Sequence, residues 1–207
     1  MTRSLVMAPR WAGSPVTDFY PWLTAKLRTP PPLFDDVRTL DMPTPGAPTI
    51  DGWVSTLAAA VGPVPAPSTV FLGHSVGCQA VMRYLSTLPP GHTVEGAVLV
   101  AGWFEVDTPW DTLRPWLDTP MDFERIRAAL RRCVVVLSDS DPFTSDFRRN
   151  ARLFEERLGA EVRLVPGGRH FNNPQEPAVL AVLQECFGAS PISTGRLEGA
   201  FAAAGSH

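Results

Sequence analysis

Closely spaced cysteines are missing from this sequence of 207 residues. Its three cysteines, Cys78, Cys133 and Cys186, lie far apart, with no CxxC pair among them. That spacing argues against a zinc site and against a disulfide framework. Cys78 and Cys133 stand in apolar runs, where a free cysteine usually behaves as a small buried hydrophobic residue. We therefore expect no metal site and no bound cofactor.

Basic clusters and long apolar runs are missing as well. The sequence has 18 Lys and Arg against 21 Asp and Glu, a formal net charge of −3, so it does not resemble a nucleic-acid binder. No apolar stretch approaches the ~20 residues that a membrane span needs. Residues 1–11 lack a full apolar core and a cleavage site, so they favour a first strand over a signal peptide. We expect a cytoplasmic protein that does not bind membranes.

Short β-branched runs that alternate with longer amphipathic runs indicate a parallel sheet with crossover helices. The chain is expected to form one domain over residues 1–188, with a loosely ordered Gly/Ala/Ser-rich tail over 189–207. Six strands in a doubly wound sheet favour the order 2-1-3-4-5-6, with helices on both faces. The predicted strands are 4–9, 36–40, 68–73, 95–101, 132–138 and 161–165. The predicted helices are 17–28, 49–61, 76–88, 122–130, 144–158 and 175–187.

Two local features are less regular. The stretch 103–121 has no clean period and is predicted to be loop-rich. The helix over 144–158 is expected to begin at a cap formed by Thr144 or Ser145.

A G-x-S-x-G motif, Gly73-His74-Ser75-Val76-Gly77, stands between the third predicted strand and the following helix. In that context the motif is typical of a nucleophile elbow, a tight turn that presents a serine at the edge of the sheet. The two glycines allow strand and helix to approach closely. The switch point of the sheet places this turn beside the loop that follows the first strand. Ser75 is therefore the candidate nucleophile.

A serine nucleophile needs an adjacent base, and the sequence has four histidines. His74 lies inside the elbow and is expected to point away from the chemistry, His92 is in a Pro-Gly turn, and His207 is the last residue. His170 follows the last predicted strand, at the carboxyl edge where a base is required. His170 is therefore the candidate base.

The carboxylate that orients the base is expected after the preceding strand, where Asp139 and Asp141 both stand. Pro142 fixes the turn behind Asp141, which favours Asp141, and Asp139 remains the alternative. The order serine, aspartate, histidine along the chain is the order of the α/β-hydrolases.

The oxyanion of such a site would lie between two backbone N–H groups. Val76, the first residue of the helix, is expected to provide one; Trp11 is expected to provide the other, with Arg10 as the alternative. Aromatic residues after the fourth strand are candidates for an acyl pocket, although a small core beneath a loop is an equal alternative for them. The candidate pocket residues are Arg10, Trp103, Phe104, Trp110 and Trp116. Arg10 could pair with an anionic substrate group, although an ordinary surface arginine is the favoured alternative for it.

Taken together, these motifs resemble the small serine hydrolases of the family named for retinoblastoma-binding protein nine, which includes bacterial relatives of the YdeN type. The resemblance also covers Met42-Pro43 and Trp53, the run Met82–Leu85, the loop Ser140–Phe143 and the loop Gly168–Asn172. It extends over residues 4–187 and implies Ser75, Asp141 and His170 as the triad. It further implies a compact α/β-hydrolase fold without a large lid.

The sequence departs from that family in two loops. Residues 9–14, PRWAGS, stand where the family has a glycine-containing loop, so Arg10 and Trp11 are bulkier than expected. Arg169 precedes His170 where the family tends to have glycine.

Three functions fit these observations. The leading hypothesis is hydrolysis of a small ester, thioester or amide through an acyl-enzyme, with a small acyl compound as substrate. An acyltransferase would use the same three residues. A binding protein on a hydrolase scaffold is the third, although an intact serine, aspartate and histidine set argues against it.

Overall fold

The computed structural model describes residues 2–188. The tail predicted over 189–207 lies outside the described residues. Within residues 2–188, no helix is long and apolar enough to cross a membrane.

Six strands and seven helices make up the fold. The strands are β1 Ser4–Ala8, β2 Asp36–Thr39, β3 Thr69–His74, β4 Gly96–Val100, β5 Cys133–Ser138 and β6 Glu161–Val165. The helices are α1 Tyr20–Arg28, α2 Ile50–Val61, α3 Val76–Ser86, α4 Arg114–Asp118, α5 Phe123–Ala129, α6 Phe147–Leu158 and α7 Pro177–Phe187.

The strands form one sheet in the order β2-β1-β3-β4-β5-β6, and every neighbouring pair is parallel. The predicted order is therefore confirmed. The register pairs Ala8 with Gly73 and His74 with Val100, so β1, β3 and β4 end at the same edge. The direction of winding changes between β1 and β3, and the loops that follow these two strands share a crevice there.

Both faces of the sheet are covered, which explains why the central strands are almost continuously apolar. Val6 and Phe71 on one face pack with residues of α2, α3, α5 and α6, including the fully buried Trp53. Leu5 and Met7 on the other face pack with α1 and α7. Two cores therefore hold the central strands rigidly, and their carboxyl ends form a fixed platform.

The stretch 103–121 is loop-rich as predicted, with α4 as its one regular element. This helix is too short to show a period, and it is held because Trp116 packs edge-on against Trp53 with ring centroids 6.1 Å apart. The predicted start of the next-to-last helix was wrong. Helix α6 begins after Asp146, whose side chain accepts a hydrogen bond from the Arg149 N–H, and not at Thr144 or Ser145. The Ser145 N–H bonds to Asp107 at 2.9 Å, so that residue stays in the preceding loop.

Candidate active site

Ser75 lies at the turn between β3 and α3, with φ 55° and ψ −118°. This positive φ is strained for a residue with a side chain, and it is retained because the surrounding backbone packs closely. A Cβ on Gly77 would lie 2.7 Å from the Pro9 carbonyl oxygen, and one on Gly73 would lie 2.7 Å from the Cys78 nitrogen. Only glycine fits at either position, so the elbow holds Ser75 tightly against the end of β1.

His170 and Asp141 meet in a buried hydrogen bond. The His170 Nδ1 atom lies 2.7 Å from Asp141 Oδ2, and each residue is only 6% exposed. The other carboxylate oxygen, Oδ1, accepts from the Phe143 N–H at 3.0 Å. A carboxylate only accepts, so Nδ1 carries the proton and Nε2 keeps its lone pair. That tautomer is the one a general base requires.

Asp139, the alternative partner, lies elsewhere. Its carboxylate accepts from the Gly167 N–H at 2.8 Å, and the residue is exposed. Asp139 therefore holds the loop that leads to His170, while Asp141 holds the imidazole itself.

Ser75 and His170 line the same cavity. Across residues 2–188, the hydrogen-bond contact made by Ser75 Oγ is with the Trp103 indole N–H, at a long 3.5 Å, and no direct bond joins it to His170. Hydrogen bonds between nucleophile and base are often long before substrate binds, so this spacing is compatible with the two residues acting together.

The cavity has a volume of about 90 Å³ and mainly apolar walls. Three of the predicted pocket residues, Arg10, Trp103 and Trp110, lie on its wall, together with Trp11. The Trp11 and Trp110 rings pack edge-on with their centroids 5.1 Å apart.

The other two predicted pocket residues do not reach this cavity. Phe104 packs on Phe154 with ring centroids 4.4 Å apart, beneath the loop. Trp116 is 1% exposed and its indole N–H donates to the Pro48 carbonyl at 3.1 Å. Trp116 belongs to the core that also contains Trp53 and Phe154, and Phe104 packs against that core.

Four wall residues were missed by the sequence analysis. They are Val106, Leu113, Phe143 and Asn172. Phe143 and Asn172 each stand two residues from a predicted triad member, and that proximity was the available signal. Nothing in the sequence distinguishes Val106 or Leu113 from other apolar loop residues.

The backbone N–H groups of Val76 and Trp11, the two candidate oxyanion donors, differ in their hydrogen bonding from the backbone N–H group of Arg10. The Arg10 N–H is engaged, since it donates to the Tyr20 hydroxyl at 3.0 Å. Among the described residues, the backbone N–H groups of Trp11 and Val76 have no backbone or side-chain acceptor. Both groups are therefore available to a ligand, which favours Trp11 over Arg10 as the second donor.

The Arg10 side chain is also engaged. Its Nε atom lies 2.9 Å from Asp18 Oδ2, and its Nη2 atom donates to Asp18 Oδ1 at 3.0 Å. The remaining guanidinium nitrogen, Nη1, donates to the Trp11 carbonyl at 2.8 Å. The positive charge at the cavity wall is therefore paired within the protein.

Known proteins are similar to this chain over most of its length. The family profile described as Serine hydrolase matches residues 5–178. The YdeN protein of Bacillus subtilis (strain 168) is 25% identical over 174 residues, which are 83% of this chain and 87% of YdeN.

Solved structures show the same fold. The crystal structure of the ydeN gene product from B. subtilis superposes with a TM-score of 0.81 at 23% identity, covering 91% of this chain and 100% of that one. Est1E from Butyrivibrio proteoclasticus, in a structure with bound ferulic acid, superposes with a TM-score of 0.65 at 12% identity, covering 88% and 87%. The likeness extends over the whole sheet and shows an α/β-hydrolase fold.

Proposed function

Because this chain belongs to the serine hydrolase family, as a YdeN-type member of the α/β-hydrolase superfamily, we propose that it cleaves a small ester, thioester or amide through an acyl-enzyme on Ser75. The observation that carries the proposal is the buried 2.7 Å hydrogen bond between Asp141 and the Nδ1 atom of His170, a residue that lines the same cavity as Ser75.

In the first half of the reaction, Ser75 Oγ attacks the acyl carbonyl carbon while His170 Nε2 accepts the hydroxyl proton. The carbonyl oxygen becomes an oxyanion between the N–H groups of Val76 and Trp11. The tetrahedral intermediate then collapses, the bond to the leaving group breaks, and His170 returns the proton to that group. The acyl group remains on Ser75 as an ester.

In the second half, His170 removes a proton from water, and the hydroxide oxygen attacks the ester carbonyl. The bond to Ser75 Oγ breaks, Oγ regains its proton from His170, and a carboxylic acid leaves. Asp141 stabilises the imidazolium that forms in both halves, without itself becoming protonated.

The cavity supports a small, uncharged acyl group as substrate. Its volume of about 90 Å³ is well below the several hundred Å³ of sites for drug-sized ligands. The walls are mainly aromatic and aliphatic, and the Arg10 guanidinium is already paired with Asp18. A carboxylate on the acyl group would lose its hydration there without gaining a free cation.

The test is labelling with a fluorophosphonate and turnover of short-chain p-nitrophenyl esters. Ser75→Ala is expected to abolish both, and His170→Ala to slow both greatly. Asp141→Asn is expected to lower kcat by about 10²–10⁴-fold, because the amide no longer selects the required tautomer. Adding an amine or alcohol acceptor and analysing the products distinguishes hydrolysis from acyl transfer.

Asp139→Asn is the matched control, since it makes the same chemical change two residues away, at a carboxylate that holds only the Gly167 N–H. Its kcat is expected to remain within a few-fold of wild type. A folded wild-type protein that neither labels nor turns over esters would contradict the proposal, and so would equal losses in the two asparagine variants.

A further inference from the structure

His74, the residue just before the nucleophile, is fully buried beneath the base. Its ring lies 5.5 Å from the His170 ring, centroid to centroid, and 5.3 Å from the Phe19 ring. The His74 Nε2 atom lies 2.8 Å from the backbone carbonyl oxygen of His170. The Nδ1 atom lies 2.7 Å from the Tyr20 hydroxyl. The side chain does not line the cavity, yet it contacts the backbone of the base directly.

The directions of these hydrogen bonds follow from their partners. A carbonyl only accepts, so His74 Nε2 carries the proton and donates to His170. A neutral imidazole then has a lone pair on Nδ1, which accepts from the Tyr20 hydroxyl. The Tyr20 oxygen in turn accepts from the Arg10 N–H at 3.0 Å. One continuous series of hydrogen bonds therefore runs from the loop after β1 to the loop that carries His170, here called the base loop.

The protonation states of both side chains agree with this series. Burial lowers the pKa of His74 well below its ordinary value of 6.5, so the ring is neutral at neutral pH. Burial raises the pKa of Tyr20, so its hydroxyl keeps the proton that it donates.

The base loop needs such support, because its backbone is strained on both sides of His170. Arg169 has φ 52° and Phe171 has φ 54°. A left-handed conformation is unfavourable for a residue with a Cβ. Such a conformation persists only where its surroundings hold it. The His74 donor holds the carbonyl that lies between these two residues.

We propose that Tyr20 and His74 are positioning residues: their hydrogen-bond series holds the His170 backbone against Ser75 and, through the Arg10 N–H, fixes the loop that presents the Trp11 N–H. The role of His170 as base rests on the proposed function. The series links the two loops on either side of the elbow, so one buried unit sets both the base and the second oxyanion donor.

The experiment compares Tyr20→Phe, His74→Phe and His74→Gln with Tyr84→Phe. Tyr84 is the matched control, because its buried hydroxyl also makes one hydrogen bond, to the Gly62 carbonyl at 2.7 Å, away from the site. Rates are expressed per active site titrated with fluorophosphonate. Tyr20→Phe is expected to lower kcat about 10-fold and His74→Phe about 100-fold, with KM unchanged, since a base displaced by about 1 Å costs on that order.

Rescue separates positioning from packing. The glutamine amide of His74→Gln can donate to the His170 carbonyl, so this variant is expected to recover about 10-fold of the kcat that His74→Phe loses. Tyr84→Phe is expected to lose stability with kcat unchanged. Equal kcat in Tyr20→Phe, His74→Phe and wild type would overturn the proposal, as would equal losses in the phenylalanine and glutamine variants of His74.

A second readout does not depend on turnover. The proton between His170 Nδ1 and Asp141 gives a downfield NMR resonance, identified by its loss in His170→Ala. It is expected to shift or broaden in Tyr20→Phe and His74→Phe but not in Tyr84→Phe. If the wild type turns over no ester, the proposed function fails and this resonance alone decides the positioning role. An unchanged resonance in all three variants would overturn it.

Discussion

Gly77→Ala tests the close approach between the nucleophile helix and the first strand. The new methyl group would lie 2.7 Å from the Pro9 carbonyl oxygen and 2.8 Å from the Ala8 carbonyl carbon, and closer still to the Ala8 oxygen. Ordinary contacts begin near 3.5 Å, so the Pro9 oxygen alone requires α3 and the end of β1 to separate by about 0.8 Å, and the Ala8 oxygen requires more. All three obstacles are backbone atoms at the end of β1 or one residue beyond it, and backbone atoms cannot rotate aside.

The magnitude follows from two opposing effects. Overpacking costs about 1–3 kcal/mol, and a rigid backbone obstacle places the cost at the upper end of that range. Alanine is the better helix former by about 1 kcal/mol, which offsets part of it. We expect a net loss of about 2 kcal/mol, or roughly 4–8 °C in Tm for a domain of this size. We expect the same movement to displace the Trp11 N–H, the proposed second oxyanion donor, and loss of one such donor lowers kcat by about 10²–10³.

The assay combines thermal melting with the rate of fluorophosphonate labelling per folded molecule. Gly46→Ala is the matched control, because a Cβ at that exposed position would have no neighbour within 4 Å. The control is expected to match wild type in both measurements. A Gly77→Ala protein that melts and labels like wild type would refute the close approach. One that melts early but labels normally would refute the link between β1 and the oxyanion donor.

Two further predictions concern stability. Asp146→Ala removes the side-chain cap of α6 and is expected to lower the free energy of unfolding by about 1 kcal/mol in urea titrations, with ester turnover unchanged; unchanged stability would contradict the cap. Burial lowers the pKa of His74, so below pH 6.5 the unfolded chain binds a proton at this residue that the folded chain does not bind. The free energy of unfolding is therefore expected to fall as pH falls below 6.5, by up to about 1.4 kcal/mol per pH unit. His74→Gln is expected to flatten this slope between pH 6.5 and 5, and an identical slope in the variant would show that His74 titrates normally.

The strands and their order were predictable because burial on both faces demands apolar runs whatever the neighbours are. Each predicted strand end lies within one residue of the observed end. The candidate triad could also be predicted from the sequence, because parallel strands bring their carboxyl ends to one edge of the sheet. Residues that follow β3, β5 and β6 must therefore lie near one another.

What could not be predicted depends on contacts between distant loops. Helix α4 has five residues and takes its stability from Trp116 packing against Trp53, which no local pattern reveals. The hydrogen bond from His74 ends on the backbone carbonyl of His170, so the identity of the acceptor residue does not reveal the partner of His74. Arg169 is the exception: a family position that favours glycine indicates a positive φ, and the structure has φ 52° there.

The pairing of Arg10 with Asp18 has a consequence for how such a site can change its substrate during evolution. Arg10 lines the cavity, and its guanidinium forms an ion pair with the Asp18 carboxylate. A single substitution that removes this carboxylate would leave the guanidinium without that acidic partner beside the cavity. If the proposed acyl-enzyme reaction takes place in this cavity, an acidic acyl group would then supply the missing negative charge. A change of preference toward negatively charged substrates would therefore require the loss of one carboxylate and no new cation.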